Sequence, residues 1–285
     1  MTALEESYAH CRGVARTRAR NFYYSLVLLS RDRRNAMCAV YAFMRHCDDL
    51  SDEPGANRAS LDRWRAALDQ ALAGHCGANP ILPAFRDSVN RYRIPARYFH
   101  EMIDGVMSDL EPRRLETFAQ LYRYCYQVAS TAGLTTIHIL GFESSEALPL
   151  AEKCGIAFQL TNILRDIRED AALGRIYLPA EDLARFHVAE DDIRAGVRTP
   201  EFIELMDFET ARARQYYREA QPLLGLVDRS GRASLGALIS IYSRLLDRIE
   251  RSNYDVFARR ISLPAWEKSW IAIRALVGAS GRRPQ

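Results

Sequence analysis

The sequence predicts an all-α protein, and three observations support this class. Only 15 glycines and 11 prolines occur in 285 residues, so few positions favour turns. Apolar residues recur at helical spacing along most of the chain, and no stretch alternates polar and apolar residues as strands do. No segment has the composition of a linker or a low-complexity tract. We therefore expect one domain over residues 1–285.

Helix starts are marked at several places. Ser60 precedes an amphipathic run, and Pro80, Pro95, Pro200 and Pro264 stand where a first helical turn would begin. Together with the apolar periodicity, these positions predict helices near 3–17, 33–53, 60–74, 80–92, 95–109, 115–141, 145–170, 201–227, 232–255 and 264–277. The longest segment without a predicted helix is 171–200.

Charge and cysteine content exclude other classes of protein. The net charge is +3, and 37 of the 39 basic residues are arginines, since Lys153 and Lys268 are the only lysines. Basic and acidic residues are mixed along the helices, without a basic tract that would indicate a nucleic-acid partner. The six cysteines are far apart and form no Cys-x-x-Cys motif. They are typical of buried thiols in a reducing compartment, rather than of disulfides or a zinc site.

Neither a signal peptide nor a membrane span is recognisable. The first residues lack the charged and apolar regions of a signal peptide. The longest uncharged apolar runs are far shorter than the roughly 20 residues that a membrane span needs. The sequence therefore predicts a cytoplasmic protein.

Two segments carry a matching pattern of polar residues inside apolar helices. In each, polar side chains recur every three or four residues, so they fall within roughly 60–80° of the helix circumference. The first set, called motif 1, is Tyr41, Arg45, Asp48 and Asp52; the second, motif 2, is Gln159, Asn162, Asp166 and Asp170. Two helices should therefore each present a strip of carboxylates beside amide or guanidinium groups.

Such strips need a positive partner. Carboxylates on one helix face repel each other and are costly to bury alone. A single acidic pair on a helix usually lies on a face that is exposed to solvent. Here two such motifs occur, and each follows an apolar run, at 39–44 and at 156–160, which favours carboxylates that face a core or a cavity. Mg²⁺ prefers oxygen ligands and is often shared with substrate phosphates. The pattern predicts an enzyme that grips two diphosphates.

Arginines and aromatic residues would complete such a site. Arg45 and Arg165 lie beside the aspartates, and Arg175 could reach the site if segment 171–200 closed over it as a flap. Aromatic faces would stabilise an allylic cation left by a departing diphosphate. The candidates are Phe22, Tyr41, Tyr124, Tyr242 and Tyr254. Each is more often a core residue, and only Tyr41 stands out, since it shares a face with motif 1.

These motifs resemble those of the squalene/phytoene synthase family over residues 15 to 270, roughly. The matching segments are 21–23, 41–52, 124–129, 159–170, 174–179 and 253–257. The resemblance implies one α-helical domain around a central cavity, with Asp48, Asp52, Asp166 and Asp170 as ligands of Mg²⁺ and diphosphate. It also implies catalytic roles for Tyr41 and Arg45. The substrate contacts that it suggests are Arg20, Gln159, Asn162, Arg165, Arg175, Tyr177, and Arg259 or Arg260. From the aromatic candidates we add Tyr124 and Tyr242 as predicted substrate contacts.

The resemblance implies head-to-head condensation of two isoprenyl diphosphates, and it leaves two substrates open. Two farnesyl (C15) diphosphates would give presqualene diphosphate, which some members carry on to squalene with NADPH. Two geranylgeranyl (C20) diphosphates would give phytoene without a reductant. Residues 22–26 and 52–53 favour the C15 interpretation. Family positions place five residues at the far end of the pocket, namely Leu26, Cys38, Ser130, Ala132 and Gly133, and most of these are small. Asn21, Ser130 and Ala132 depart from the usual motifs.

Other classes fit less well. A non-catalytic relative acting as an assembly factor would tend to lose acidic ligands, whereas all four aspartates are present. A carboxylate-bridged di-iron bundle needs Glu-x-x-His pairs, and the sequence has none. Lipid-like products would favour a peripheral contact with the inner face of the membrane, although no segment clearly encodes one. The sequence also leaves the oligomeric state open.

Overall fold

Helices connected by short turns make up most of the described chain. The computed structural model describes residues 2–52, 55–110 and 114–280, except for the side chains at 20, 21, 52 and 278–280. In order, the helices of this part are α1 (Ala3–Arg18), α2 (Arg20–Leu26), α3 (Arg31–Asp52), α4 (Arg58–Leu72), α5 (Leu82–Arg91), α6 (Arg97–Met107), α7 (Phe118–Cys125), α8 (Thr131–Leu140), α9 (Ala147–Ala172), α10 (Ala180–Arg185), α11 (Glu190–Ala195), α12 (Pro200–Ala220), α13 (Leu223–Leu226), α14 (Arg229–Arg251) and α15 (Ala265–Ser280). The described residues contain no strand, only an isolated bridge between Phe142 and Val227. The all-α prediction is confirmed.

Side-chain caps explain several helix starts. Thr2 and Glu5 form a reciprocal capping box at α1. The side chain of Asn57 accepts a hydrogen bond from the backbone N–H of Ser60 at the start of α4. Thr199 caps α12 in the same way, and Pro200 occupies its first turn. These local interactions set the starts of three helices, which the sequence predicted to within two residues. The end of α12 was predicted at 227, but the helix ends at Ala220.

Two large apolar clusters hold the two motif-bearing helices in place. In the first cluster, Phe43 of α3 stacks on Trp64 of α4 and on Phe85 of α5. The second cluster joins α7, α9, α12 and α14, with Ile163 and Leu164 of α9 among its buried residues. The N-terminal half of α9 contributes to the first cluster. Helices α3 and α9 are therefore fixed by packing on the faces that do not carry the polar strips.

The predicted helix 115–141 is interrupted. The structure divides it into α7, a π-helical turn (Tyr126–Ser130) and α8. This turn is wedged between two glycines: a Cβ on Gly155 would lie 2.5 Å from Cα of Ser130, and one on Gly105 would lie 2.8 Å from Cβ of Gln127. Close packing of α6 and α9 against the turn accounts for the irregularity, which no local sequence pattern encodes.

Segment 171–200 is more ordered than predicted. It contains α10 and α11, and Leu178, Leu183 and Ile193 are buried in the second apolar cluster. The prediction of one irregular flap over 171–200 is therefore wrong, because residues beyond 179 are anchored to the core. The longest stretch of this segment without helix is 173–179, which carries Arg175. Helix α2 was also missed; it has seven residues and no side-chain cap.

Two further predictions from the sequence, on the cysteines and on membrane spans, are compared with the structure. All six cysteines are free, and all except Cys76 are buried, as predicted for structural thiols. Among the described residues, no helix combines the length and apolar character needed to cross a bilayer.

Candidate active site

A cavity of about 310 Å³ lies between α3, α8, α9 and α14. Its lining changes from apolar to polar along three of these helices, in each case towards the C-terminal end. On α3 the lining runs from Met37 to Asp48, on α9 from Ala151 to Asn162, and on α14 from Leu235 to Tyr242. The polar end of the cavity consists of Tyr41, Arg45, Asp48, Gln159, Asn162 and Tyr242. Residues of both motifs therefore meet at one end of one cavity.

Small residues line much of the apolar part of the cavity. Ala132 and Gly133 of α8 face it, as expected from the sequence. The other three residues expected there do not. Leu26 and Cys38 are buried in the first apolar cluster, and the hydroxyl of Ser130 donates to the carbonyl of Glu152 over 2.8 Å. Helix packing has turned these three side chains away from the cavity.

Motif 1 presents a half-buried carboxylate and a partly satisfied arginine. Asp48 lines the cavity, whereas Arg45 donates to its neighbour Asp49. Asp49 also pairs with Arg18 over 3.1 Å. The Nε of Arg45 is buried and has no hydrogen-bond partner among the described residues. Arg20 and Asp52, both predicted here, have side chains outside the described set.

Motif 2 is built around a kink in α9. Asp166 has non-helical angles (φ −102°, ψ 15°). Its carboxylate accepts from Arg165 (Nε to Oδ1, 2.7 Å) and from Arg260 (Nε to Oδ1, 2.8 Å; Nη2 to Oδ2, 3.1 Å). Burial alone would raise the pKa of Asp166, but these hydrogen bonds outweigh it and lower that pKa. Arg259 is exposed and makes no described contact. Of the two alternative arginines, Arg260 is therefore the one that reaches the site.

Asp170 lies in the opposite electrostatic environment. Burial, followed by the charge of Asp166, raises its pKa to about 7. Asp109 and Glu169 act in the same direction, and Arg175 opposes them. The charged form of Asp170 is therefore costly unless a cation compensates it.

A second polar group beside Asp170 includes a residue that the sequence had not singled out. Asp109 accepts from the hydroxyls of Tyr124 (3.0 Å) and Tyr177 (2.9 Å), whose rings stack 4.8 Å apart. The Nη2 of Arg175 donates to the carbonyl of Asp109 over 3.2 Å. Tyr124, Arg175 and Tyr177 therefore surround Asp109 and do not line the main cavity. The only signal in the sequence was an acid at the end of an apolar helix, which is common.

Aromatic pairs flank the polar end of the cavity. Phe22 stacks on Tyr41 with ring centroids 5.9 Å apart, and Phe158 stacks on Tyr242 at 4.4 Å. Tyr242 links the cavity to motif 2, since the charges of Arg165 and Asp166 act on its hydroxyl. Tyr254, also considered from the sequence, is buried elsewhere and donates to Asp207 over 2.9 Å.

The donor set fits Mg²⁺ if the substrate supplies further oxygens. No three described side chains among His, Cys, Asp and Glu lie close enough to hold a metal ion by themselves. Mg²⁺ usually binds through one or two carboxylates together with substrate phosphates. The buried Oδ1 of Asn162 has no hydrogen-bond partner, and Asp170 carries a costly charge. Asn162 lies at the polar end of the cavity, whereas Asp170 lines a separate small pocket with Arg175 and Tyr177. A cation would satisfy the unpartnered oxygen of Asn162 and the charge of Asp170.

Comparisons with known proteins identify the family. The model of the squalene/phytoene synthase family matches residues 15–267. The 15-cis-phytoene synthase of Synechococcus elongatus is 38% identical, over 94% of this chain and 92% of its own length. The phytoene synthase of Arthrospira platensis is 36% identical, over 92% of this chain and 90% of its own.

Solved structures give the same result. A dehydrosqualene synthase in complex with a ligand superposes with a TM-score of 0.91 at 27% identity, covering 98% of both chains. The squalene synthase HpnC from Alicyclobacillus acidocaldarius superposes with a TM-score of 0.82 at 30% identity, covering 88% of this chain and 95% of its own. The expected helical fold around a central cavity is confirmed.

Proposed function

Because this chain belongs to the squalene/phytoene synthase family and is therefore a prenyltransferase, we propose that it condenses two geranylgeranyl diphosphates to phytoene. The main support is the division of the cavity into a polar end with residues of both motifs and an apolar part with small residues. Residues 22–26 favoured C15 substrates, but the relatives that match nine-tenths of the chain at 36–38% identity are phytoene synthases. The comparisons therefore support the C20 interpretation better.

The polar end would hold the diphosphates. We assign Asp48, Asp166 and Asp170, together with Asp52, as the carboxylates that bind Mg²⁺. Bound Mg²⁺ would neutralise the diphosphate oxygens and make diphosphate a better leaving group. Arg45 supplies a donor from motif 1, since its Nε is unpartnered.

The arginines that bind Asp166 of motif 2 would change partners when substrate binds. Arg165 and Arg260 both donate to Asp166. A diphosphate offers more acceptor oxygens than one carboxylate, and guanidinium groups bind phosphate bidentately. These two residues would then donate to the diphosphate, and Asp166 would become available to the cation.

The aromatic pairs would protect the reacting atoms. Loss of one diphosphate leaves an allylic cation, which the double bond of the second substrate attacks. Loss of a proton from the resulting cation closes the ring of a cyclopropyl diphosphate. Loss of the second diphosphate and of a proton then gives phytoene, and no reductant is consumed. Phe22, Tyr41 and Tyr242 line the cavity near this point, where their ring faces would stabilise positive charge and exclude water.

A squalene-type reaction is the second candidate. It is supported by the superposition on a dehydrosqualene synthase, with a TM-score of 0.91, and by the sequence preference at 22–26. In that case two farnesyl diphosphates would react, and NADPH would be consumed if the product were squalene.

Product analysis distinguishes the two candidates. Purified enzyme with Mg²⁺ is incubated with geranylgeranyl or farnesyl diphosphate, with and without NADPH. We expect phytoene from the C20 substrate regardless of NADPH, with kcat/KM at least about tenfold above that for the C15 substrate. Presqualene diphosphate or squalene as the dominant product would contradict the proposal.

A matched pair of variants tests the cavity wall. Ala132→Phe inserts a ring into the apolar lining, and Ala119→Phe places the same ring on the exposed face of α7. Overpacking should lower kcat/KM for the C20 substrate relative to the C15 substrate by roughly ten- to hundredfold in the first variant alone. An unchanged ratio in Ala132→Phe would show that this wall does not limit the prenyl tail.

A further inference from the structure

Helix α15 exposes an apolar stripe to solvent. Trp266, Trp270, Ile273 and Val277 are 69%, 51%, 54% and 69% exposed. These positions follow at steps of four, three and four residues, which places them within roughly 60° of the helix circumference. The opposite face of α15 is buried through Glu267 and Ile271. We call the four exposed residues the α15 stripe.

The stripe is unusual for this molecule. Five of the nine large apolar side chains that are exposed in the described residues lie on α15, with Leu276 as the fifth. Contiguous exposed apolar surface marks an interaction site more often than scattered residues do. Two of the three tryptophans of the chain are in the stripe, and tryptophan is enriched where an apolar phase meets water.

A positively charged groove runs beside the stripe. Four arginines and no acidic residue line a groove of about 660 Å³ between α14 and α15. The arginines are Arg229, Arg232, Arg244 and Arg274. Arg244 is paired with Glu267 over 3.0 Å, and Arg232 donates to the carbonyl of Val227 over 2.7 Å. Arg229 and Arg274 have no ion pair in the described part of the chain, so their charge is available to an anionic partner.

The position of α15 connects this surface to the cavity. Ile271 of α15 packs against Ile241 of α14 in a small apolar cluster that also includes Tyr24 of α2. The same two helices line the cavity through Phe22 and Tyr242. Helix α15 therefore covers the outer side of two helices that form the cavity wall.

We propose that the α15 stripe and its arginine groove attach the protein to the surface of an anionic lipid bilayer. The helix would lie in the plane of the interface, with both tryptophans at the boundary between headgroups and acyl chains and the arginines at the lipid phosphates. The apolar stripe matches the acyl-chain region of such a membrane, and the cationic side chains beside it match the anionic headgroups. The attachment is peripheral.

Tryptophan fluorescence reports on this contact directly. The third tryptophan, Trp64, is 4% exposed, so a change in emission on adding vesicles reflects Trp266 and Trp270. We expect a blue shift, and co-flotation of the full chain with mixed phosphatidylcholine–phosphatidylglycerol vesicles. Binding should weaken at high salt and with pure phosphatidylcholine. Unchanged emission together with no flotation would overturn the proposal.

Matched variants separate the two parts of the surface. Trp266→Ser/Trp270→Ser should lower vesicle binding at least about tenfold, whereas the control Leu4→Ser/Val197→Ser, which also removes two exposed apolar side chains, should not. Arg229→Gln/Arg274→Gln should lower binding to anionic vesicles by about tenfold, and Arg16→Gln/Arg123→Gln, with the same loss of charge, should not.

Folding and self-association are checked on the same samples. Circular dichroism and turnover in detergent should be unchanged in the tryptophan variant, since neither residue lines the cavity. Wild-type flotation by the folded tryptophan variant would overturn the proposal. A dimer in sedimentation velocity that dissociates in this variant would assign the stripe to a second copy of the chain, and would overturn it as well.

Discussion

The two acidic motifs look alike in sequence but differ in their electrostatic environments. In motif 1, α3 is regular and Arg45 pairs with Asp49, which leaves Asp48 facing the cavity. In motif 2, α9 is kinked at Asp166, and Arg165 binds that adjacent carboxylate. Matching spacing therefore led to different partners.

The two motifs differ in how strongly their arginines are held and in how well their carboxylates are compensated. The Arg45–Asp49 pair is about one-quarter to one-third exposed, so it is easily exchanged. Asp166 is instead compensated by two guanidinium groups, while Asp170 nearby has a raised pKa. Motif 2 therefore combines Asp166, whose charge two arginines compensate, with Asp170, whose charge is uncompensated. A bound diphosphate would pair with the arginines, and its cation would compensate the carboxylates.

Removal of one carboxylate from each motif should have the largest effect. Asp48→Asn and Asp166→Asn should each lower turnover by several orders of magnitude, because an amide does not supply the charge that Mg²⁺ needs. Steady-state kinetics with circular dichroism as a folding check measures this loss. Asp62→Asn, an exposed acid on α4, is the control. Near-normal product formation by one of the two variants would show that the carboxylate of that motif is not needed to bind Mg²⁺.

Asp170 should produce a pH-dependent difference in stability. Its pKa is about 7 in the folded protein against an ordinary value of 3.8, so the folded state takes up a proton between these values. The cost of its charge is therefore absent below about pH 4, grows as pH rises, and is complete above about pH 7.

The variant Asp170→Asn removes this cost. In metal-free protein its free energy of unfolding should exceed that of the wild type by about 2–4 kcal/mol near pH 8, and the two should converge towards pH 4. Urea unfolding in the presence of a chelator measures it. A difference that does not change with pH would contradict a raised pKa at Asp170.

Adjacent arginines test how motif 2 is completed. Arg260→Gln removes two hydrogen bonds to Asp166, whereas Arg259 makes no described contact. We expect kcat/KM to fall about tenfold in Arg260→Gln and to change less than about twofold in Arg259→Gln. Equal losses in both variants would show that the two side chains are interchangeable at the diphosphate.

The smallest effect is expected at Asp49. Because its pair with Arg45 is partly exposed, Asp49→Asn should change the free energy of unfolding by less than about 0.5 kcal/mol. Urea unfolding at neutral pH measures this change. A loss well above about 1 kcal/mol would remove the contrast between a weakly held arginine in motif 1 and a strongly held one in motif 2.

Helix prediction succeeded where local interactions dominate. The first predicted helix, 3–17, corresponds to α1 (Ala3–Arg18), whose start depends on a capping box within four residues of sequence. It failed for α10 and α11, which have six residues each. Such short helices are unstable alone and depend on burial of residues such as Leu183 and Ile193. The kink at Asp166 was missed for a related reason, since a side-chain pattern does not record backbone angles.

The sequence by itself determined the helical class, the two polar strips and the residue types that can hold a diphosphate and its cation. These follow from spacing along one helix and from the chemistry of single side chains. The tertiary structure decided which partners those residues take: Asp166 between Arg165 and Arg260, and Asp109 between two tyrosines. It also set the pKa of Asp170 and exposed the α15 stripe. Partner choice, pKa and exposure depend on groups far apart in the chain and on the water that packing removes, so no local pattern could have encoded them.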